Sequence, residues 1–262
     1  MVSAMWGGAW DIHQLDEVGS TNTYVREQAR QGTPAGLVVV ADHQTAGRGR
    51  LDRRWESPPG ANLLVSFLLR PDCGADAVHL CAGAVALAAA DACREVAGVE
   101  PVLKWPNDLL FDGAKLAGVL AEAEFAGSIL KAVVVGIGIN VAWPGPPEAG
   151  GTCLDDVSRT AQPVDRQVLL LRLLKALEPR CELLEEPVGR RNLADEVRRR
   201  CATLGQRVRV LLAGEELIGR AEAIDDAGRL VVETALGPQP VSAGDVVHLR
   251  PGPDRDGPRG LG

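Results

Sequence analysis

Val102-Leu103-Lys104-Trp105-Pro106-Asn107-Asp108-Leu109-Leu110-Phe111-Asp112-Gly113-Ala114-Lys115-Leu116-Ala117-Gly118-Val119-Leu120-Ala121-Glu122 is the stretch on which the reading of this chain turns. It breaks into three extended runs, residues 102–105, 109–111 and 115–124. Asp112-Gly113 between the last two is a strong hairpin signal, because both residues tolerate a positive φ. Pro106 ends the first run and leaves Asn107 and Asp108 at its exit. Working outward, residues 129–141 and 37–41 read as strands, the second of them buried, and residues 62–70 alternate as a half-buried strand would. Helices are expected over residues 21–31, opening at the cap-favouring Ser20-Thr21-Asn22, and over 165–186 and 192–200. The Ala-rich residues 76–97 are the best candidate for a central buried helix.

Past Gln206 the pattern changes. Residues 207–212, 216–224, 230–234 and 246–249 are short strands separated by Ala213-Gly214, Asp226-Ala227-Gly228 and Gly237-Pro238. That spacing suits a β-barrel of about 50 residues. The chain therefore divides into a larger domain over residues 1–202, a small one over 203–250 and a disordered tail over 251–262.

Composition bounds the function. The 262 residues are 46% hydrophobic and 24% charged with a net charge of −7, so a wide basic face for nucleic acid is not expected. The six cysteines form no CxxC pair, which argues for reduced thiols packed as small hydrophobes rather than zinc ligands or disulfides. No signal peptide is apparent at the start, and the longest apolar stretch, residues 80–90, is far short of the roughly 20 residues that span a bilayer. A cytoplasmic protein is expected. Only Lys104, Lys115, Lys131 and Lys175 are lysines; every other basic position is arginine.

Four motifs carry chemistry. Gly47-Arg48-Gly49-Arg50-Leu51-Asp52-Arg53-Arg54-Trp55 concentrates arginine among glycines in an acidic chain, a composition that suits a flexible phosphate-gripping loop, a solvated basic loop or a nucleic-acid contact. In Lys104-Trp105-Pro106-Asn107-Asp108 the carboxylate suits Mg²⁺ or a ligand donor, and an Asx turn is the plainer reading. In Lys115-Leu116-Ala117-Gly118 an ideal strand sets Lys115, Ala117, Val119 and Ala121 on one face, a lysine beside small residues that leave space. In Gly136-Ile137-Gly138-Ile139-Asn140 the two glycines share a face, which calls for a flat ligand against them or close packing of the Ala-rich helix. No G-x-G-x-x-G opens a helix, so this is not a dinucleotide fingerprint.

Taken in order, GSTN (residues 19–22), QTAGRGR…W (44–55), KWPND (104–108), KLAG (115–118) and GIGIN (136–140) resemble biotin–protein ligase, the family that attaches biotin to carboxylases, over about residues 12–250. The resemblance implies an α/β catalytic domain with a mixed sheet of the class II synthetase type and a C-terminal SH3-like barrel. It implies two steps: biotin and ATP with Mg give biotinyl-5′-AMP and pyrophosphate, then the acyl group passes to one lysine of a biotin carboxyl carrier domain of an acetyl- or acyl-CoA carboxylase.

Carried over residue by residue, Ser20, Thr21, Asn22 and Gln44 bind the polar ureido end of biotin, with Gly47, Gly118, Gly136 and Gly138 bordering the pocket. Arg48 and Arg50 hold carboxylate and phosphate and order the loop, and Arg53 meets the ATP phosphates. Trp55 stacks near adenine and Asn140 hydrogen-bonds it; Lys104 and Asn107 belong to the adenylate side. Lys115 touches the reacting carboxyl and α-phosphate oxygens, and Asp108 assists Mg or the loop. A carboxylate nucleophile needs no base at neutral pH, in keeping with motifs that lack His and Cys. A loop closing over the mixed anhydride would exclude water.

The family loop usually reads G-R-G-R-x-G-R-x-W, and Asp52 stands here in place of its third glycine, bringing a negative charge that is expected to pair with Arg53 or Arg54. That departure raises one alternative, a protein that holds biotin or its adenylate without transfer. Lipoyl ligases share the architecture but match this loop poorly. Only about 11 residues precede the first catalytic strand, so a DNA-binding repressor domain is not expected, and either a monomer or a homodimer is compatible with the sequence.

Overall fold

The computed structural model describes residues 9–212, 215–242 and 244–249. Strand β1 (Asp11–Val18) leads to helix α1 (Thr21–Arg30), followed by β2 (Leu37–Gln44) and β3 (Leu63–Leu69). Helix α2 (Val78–Ala97) precedes β4 (Val102–Lys104), β5 (Asp108–Phe111), β6 (Ala114–Ala126) and β7 (Ile129–Ile139). Helices α3 (Leu154–Val157), α4 (Arg166–Glu185) and α5 (Pro187–Arg200) come next. The last five strands are β8 (Arg207–Leu211), β9 (Glu216–Ile224), β10 (Leu230–Thr234), β11 (Gly237–Val241) and β12 (Asp245–His248).

Strands β1 to β7 form one mixed sheet in the order β1-β2-β3-β7-β6-β5-β4. Only β1 and β2 run parallel. Side-chain alternation sorts its faces. On β7, Val133, Val135, Ile137 and Ile139 join the core under α2 and α4, whereas Ala132 and Val134 pack with Val25 and Ala29 of α1. Two residues further along that second face come Gly136 and Gly138, where apolar packing gives way to the site. Strand β3 does not alternate in exposure as expected: all seven residues are buried, because α1 covers one face and α2 the other.

Asp112 and Gly113 make the expected two-residue hairpin, with φ of 49° and 82° and Phe111 paired to Ala114. Beyond it the same-face reading of Lys115 fails at a bulge. Leu110 pairs with Lys115 but Leu109 with Ala117, so Leu116 is an extra residue. Ala117 and Val119 turn into the core. Lys115 shares its face with Gly118 instead, its Nζ 3.4 Å from where a Gly118 Cβ would stand. Nor does Asp108 hang from a strand exit: the Trp105–Pro106 peptide is cis, and Asp108 opens β5 opposite Lys104.

Helix α5 begins at Pro187, earlier than expected, with the proline in the first turn where its missing N–H is not needed. The C-terminal strands form an antiparallel sheet in the order β11-β10-β9-β8-β12, and no closed barrel is found among the described residues. Gly237-Pro238, read from sequence as a breaker, instead begins β11. Pro238 and Pro240 are tolerated because β11 is an edge strand. The turn at Ala213-Gly214 and the tail over 251–262 lie outside the described residues. This sheet has its own core of Val208, Val210, Ala221, Leu230 and Val232, into which Trp105 inserts from the first sheet. The Trp105 Nε1 donates to the Gly228 carbonyl at 3.0 Å. Cys81, Cys93, Cys153, Cys181 and Cys201 are buried, and burial pushes the Cys93 thiol up to about 12.

Candidate active site

A cavity of about 620 Å³ opens on the α1 side of the large sheet and is walled at one end by the C-terminal sheet. Small-molecule sites span roughly 300–1,000 Å³. Every residue to which the resemblance gives a binding or catalytic role lines it except Gly47. Gly47 is buried behind the wall: Trp55 N donates to its carbonyl at 3.0 Å, and a Cβ there would overlap the Trp55 carbonyl.

The floor is made by backbone. Gly118 and Gly138 face each other across β6 and β7, and the Trp55 indole lies on them, so close that a Cβ on Gly138 would overlap the ring. A Cβ on Gly136 would strike Asn22. The glycine face is thus covered by this chain's own side chains, while α2 packs on the opposite face. The Trp55 Nε1 is buried without a hydrogen-bond partner among the described residues.

One end of the cavity is polar and uncharged. Gln44 Oε1 accepts from Thr21 N at 2.8 Å and from Thr21 Oγ1 at 3.0 Å. Ser66 Oγ lies 2.7 Å from Thr21 Oγ1 and donates to Asn22 Oδ1 at 2.6 Å. Ser20 occupies the N-cap position of α1 but its side chain makes no capping bond. Gln44 satisfies the first-turn amide from outside the helix, and the Ser20 hydroxyl is left to the cavity. Asn22 Nδ2 donates to Leu120 O at 3.1 Å and Glu122 Oε2 at 2.9 Å.

The other end is cationic. Lys115 Nζ stands 2.6 Å from Asp108 Oδ1 and 5.6 Å above the Trp55 ring centroid, within cation–π range. Arg50 donates to Asn107 Oδ1 at 3.3 Å, and Asn107 Nδ2 donates to Val119 O at 2.8 Å. Burial draws the Arg50 guanidinium below its ordinary value, with Asp245 and Asp108 pulling the other way. Arg48 instead turns back toward Asn22, pairing at 2.6 Å with Glu122, whose same oxygen accepts from Asn22 Nδ2. Arg53 donates to Asp245 of β12, and Arg54 to Thr45 O at 3.2 Å, so neither takes the Asp52 partnership expected of it. Asn140 Nδ2 is engaged by the carbonyls of Pro144 at 3.1 Å and Thr152 at 3.0 Å.

The Gly-Arg segment is itself a short hairpin. Arg48 bridges to Arg54, Gly49 N donates to Arg53 O at 2.7 Å and Arg53 N to Arg50 O at 3.1 Å. Leu51 and Asp52 form its tip with φ of 53° and 58°, the signs a type I′ turn requires. Asp52 therefore takes the left-handed conformation that glycine would take.

Sequence reasoning missed Ser66, Glu122 and Asp245. A lone serine in the apolar run Leu63–Leu69 was a usable signal, and Glu122 stood in a quoted motif without a role. Nothing local marks Asp245. No group of three or more His, Cys, Asp or Glu side chains able to hold a metal occurs among the described residues, and Asp108 is already neutralised by Lys115. The donor set does not fit a protein-held Mg²⁺.

Comparisons with known proteins agree with this plan. Residues 16–140 match the model of the Biotin/lipoate A/B protein ligase family, and residues 203–249 that of the Biotin protein ligase C terminal domain. A biotin–[acetyl-CoA-carboxylase] ligase of Mycobacterium tuberculosis is 39% identical, covering 93% of this chain and 91% of its own. One of Paracoccus denitrificans is 34% identical, covering 88% and 98%. The solved biotin protein ligase of Aquifex aeolicus in complex with biotin and ATP superposes with a TM-score of 0.73 at 26% identity, over 92% of this chain and 99% of that one. The chain belongs to the biotin protein ligase family.

Proposed function

We propose that this protein activates biotin as biotinyl-5′-AMP and transfers it to a lysine of the biotin carboxyl carrier domain of an acyl-CoA carboxylase. The observation that carries this is the two-ended cavity: a neutral hydrogen-bonding end at Thr21, Asn22 and Gln44, a cationic end at Arg50, Arg53 and Lys104, and Lys115 within the same cavity. A ureido ring offers two N–H donors and a carbonyl to the neutral end. The dithiolane of lipoate offers neither, and so gains nothing from the polar groups at that end.

In the first step the biotin carboxylate oxygen attacks the α-phosphorus, a P–O bond forms, and pyrophosphate leaves with the electrons of the broken P–O bond. Negative charge accumulates between two anions, and the Lys115 ammonium, together with the hairpin arginines, stabilises it. In the second step the acceptor amine attacks the acyl carbonyl, AMP leaves, and the amine loses a proton. Trp55 is proposed to bound the adenine subsite. Asn140 would have to give up backbone carbonyls to reach adenine, so its proposed part is to hold the walls around Pro144 and Thr152. Mg²⁺ is proposed to arrive with the ATP phosphates rather than on protein ligands.

The sheets have separate cores, which supports a division near residue 202 into a catalytic and a small C-terminal domain. We place the protein in the cytoplasm, where ATP and the carboxylases are; among the described residues no helix is long and apolar enough to cross a membrane. The test is ATP–pyrophosphate exchange with biotin and with lipoate. Exchange that depends on biotin is expected; exchange driven equally by lipoate would overturn the substrate assignment.

A further inference from the structure

We infer that Asp245 is an electrostatic stand-in for nucleotide phosphate: it pairs with Arg53 and must yield it when ATP binds. The inference rests on the proposed role of Arg53 toward the ATP phosphates. It begins with what the C-terminal sheet contributes to the cavity, namely Leu211, Asp245, Val246 and Val247. Of these, Asp245 alone is charged. Its Oδ2 accepts directly from Arg53 Nη2, and its charge also acts on Arg50. One carboxylate therefore faces the two arginines that the hairpin presents to the nucleotide. The other carboxylate engaged there, Asp108, is committed to Lys115.

A phosphate oxygen presents the same chemistry to a guanidinium as a carboxylate oxygen does. Arg53 cannot give its fork fully to both, and an unreleased Asp245 would repel the incoming polyphosphate. The contact has a constructive side as well. It ties the hairpin to β12 across the cavity mouth, so that exchange of Asp245 for phosphate releases the C-terminal sheet from the hairpin at the moment the nucleotide enters. Arg53 is two-thirds exposed and Asp245 one-third, which makes the competition modest, about two- to fivefold in affinity.

The experiment compares Asp245→Asn, Arg53→Ala and the double variant in biotin-dependent pyrophosphate exchange, reading KM separately for ATP and biotin. Asp245→Asn is expected to lower the KM for ATP about threefold, with the biotin KM within about twofold of the parent and a stronger dependence of the ATP KM on salt. In the Arg53→Ala background the same change is expected to have a clearly smaller effect, limited to the field of Asp245 on Arg50 and on the phosphates. An Asp245→Asn variant whose ATP KM is unchanged or raised, beside an Arg53→Ala variant that binds ATP more weakly, overturns the stand-in and leaves the phosphate role of Arg53 intact. An Arg53→Ala variant with normal ATP KM overturns both. A rise in both KM values for Asp245→Asn would mark the contact as a structural tie only and contradict the inference.

Discussion

At the residue scale the bulge at Leu116 decides the most. Without it Lys115 would share a face with Ala117 and Val119 and point into the core; with it, the ammonium reaches Asp108 and the Trp55 ring. Sequence patterning carries no mark of a one-residue bulge, which is why the motif was legible but the face was not. Lysine is also a compact donor that arginine does not replace. Lys115→Arg is expected to leave the biotin dissociation constant within about twofold while slowing single-turnover adenylate formation by about a hundredfold, the size of losing one transition-state donor. Near-normal adenylation in that variant would return Lys115 to the background. Of the chain's four lysines, Lys104 and Lys115 line the cavity. At Gly138 the constraint was readable as a requirement for close approach, but not what approaches. Gly138→Ala would push the Trp55 indole off its floor, and a changed Trp fluorescence spectrum with a KM for ATP raised at least about fivefold is the expected readout.

Between elements, two contacts set rigidity. The Gly-Arg hairpin turns on Leu51 and Asp52, both left-handed, a conformation costing L-residues about 1–2 kcal/mol each. Replacing the pair by Asn-Gly is expected to raise the melting temperature by about 2–4 °C, on the scale of 1 kcal/mol in a domain of this size. No change on calorimetry would mean that the tip conformation is not costly. The composition of this loop had indicated a flexible segment, because glycine and arginine counts say nothing of the backbone ladder between Arg48 and Arg54. Elsewhere, Asp91 of α2 joins Arg180 of α4 at 2.7 Å and Arg200 of α5 at 2.8 Å. Burial raises its pKa, but the two arginines outweigh this and hold the carboxyl below its ordinary value. A depressed folded value contributes stability that is complete above the unfolded pKa, roughly 4, and is lost as pH falls through the folded value. Asp91→Asn should therefore cost about 2 kcal/mol in denaturant unfolding at pH 7 and progressively less in acid. Equal losses at pH 7 and pH 3 would contradict this account.

For the whole molecule the joint between the two sheets is Trp105, which sequence reading treated only as part of KWPND. It is 6% exposed, sits in the C-terminal core and is fixed by Gly228 O and Thr203 Oγ1. A residue whose partners lie about a hundred positions away leaves no local signature, whereas the strands, helices and the α/β class followed from hydrophobic period. The short C-terminal strands were legible from their spacing, but their closure was not: β11 is a sheet edge, and the described strands form an antiparallel sheet. Trp105→Ala should remove about 3–5 kcal/mol and split thermal unfolding into two calorimetric transitions, one transition at unchanged temperature being the contrary result. The activity proposed for the whole chain is read most directly by incubating it with labelled biotin, ATP, magnesium and a purified biotin carboxyl carrier domain. Acid-stable label on a single carrier lysine is the predicted result. Label that stays on this protein as an acid-labile adenylate, with none transferred, would contradict the ligase and leave a binding protein in its place.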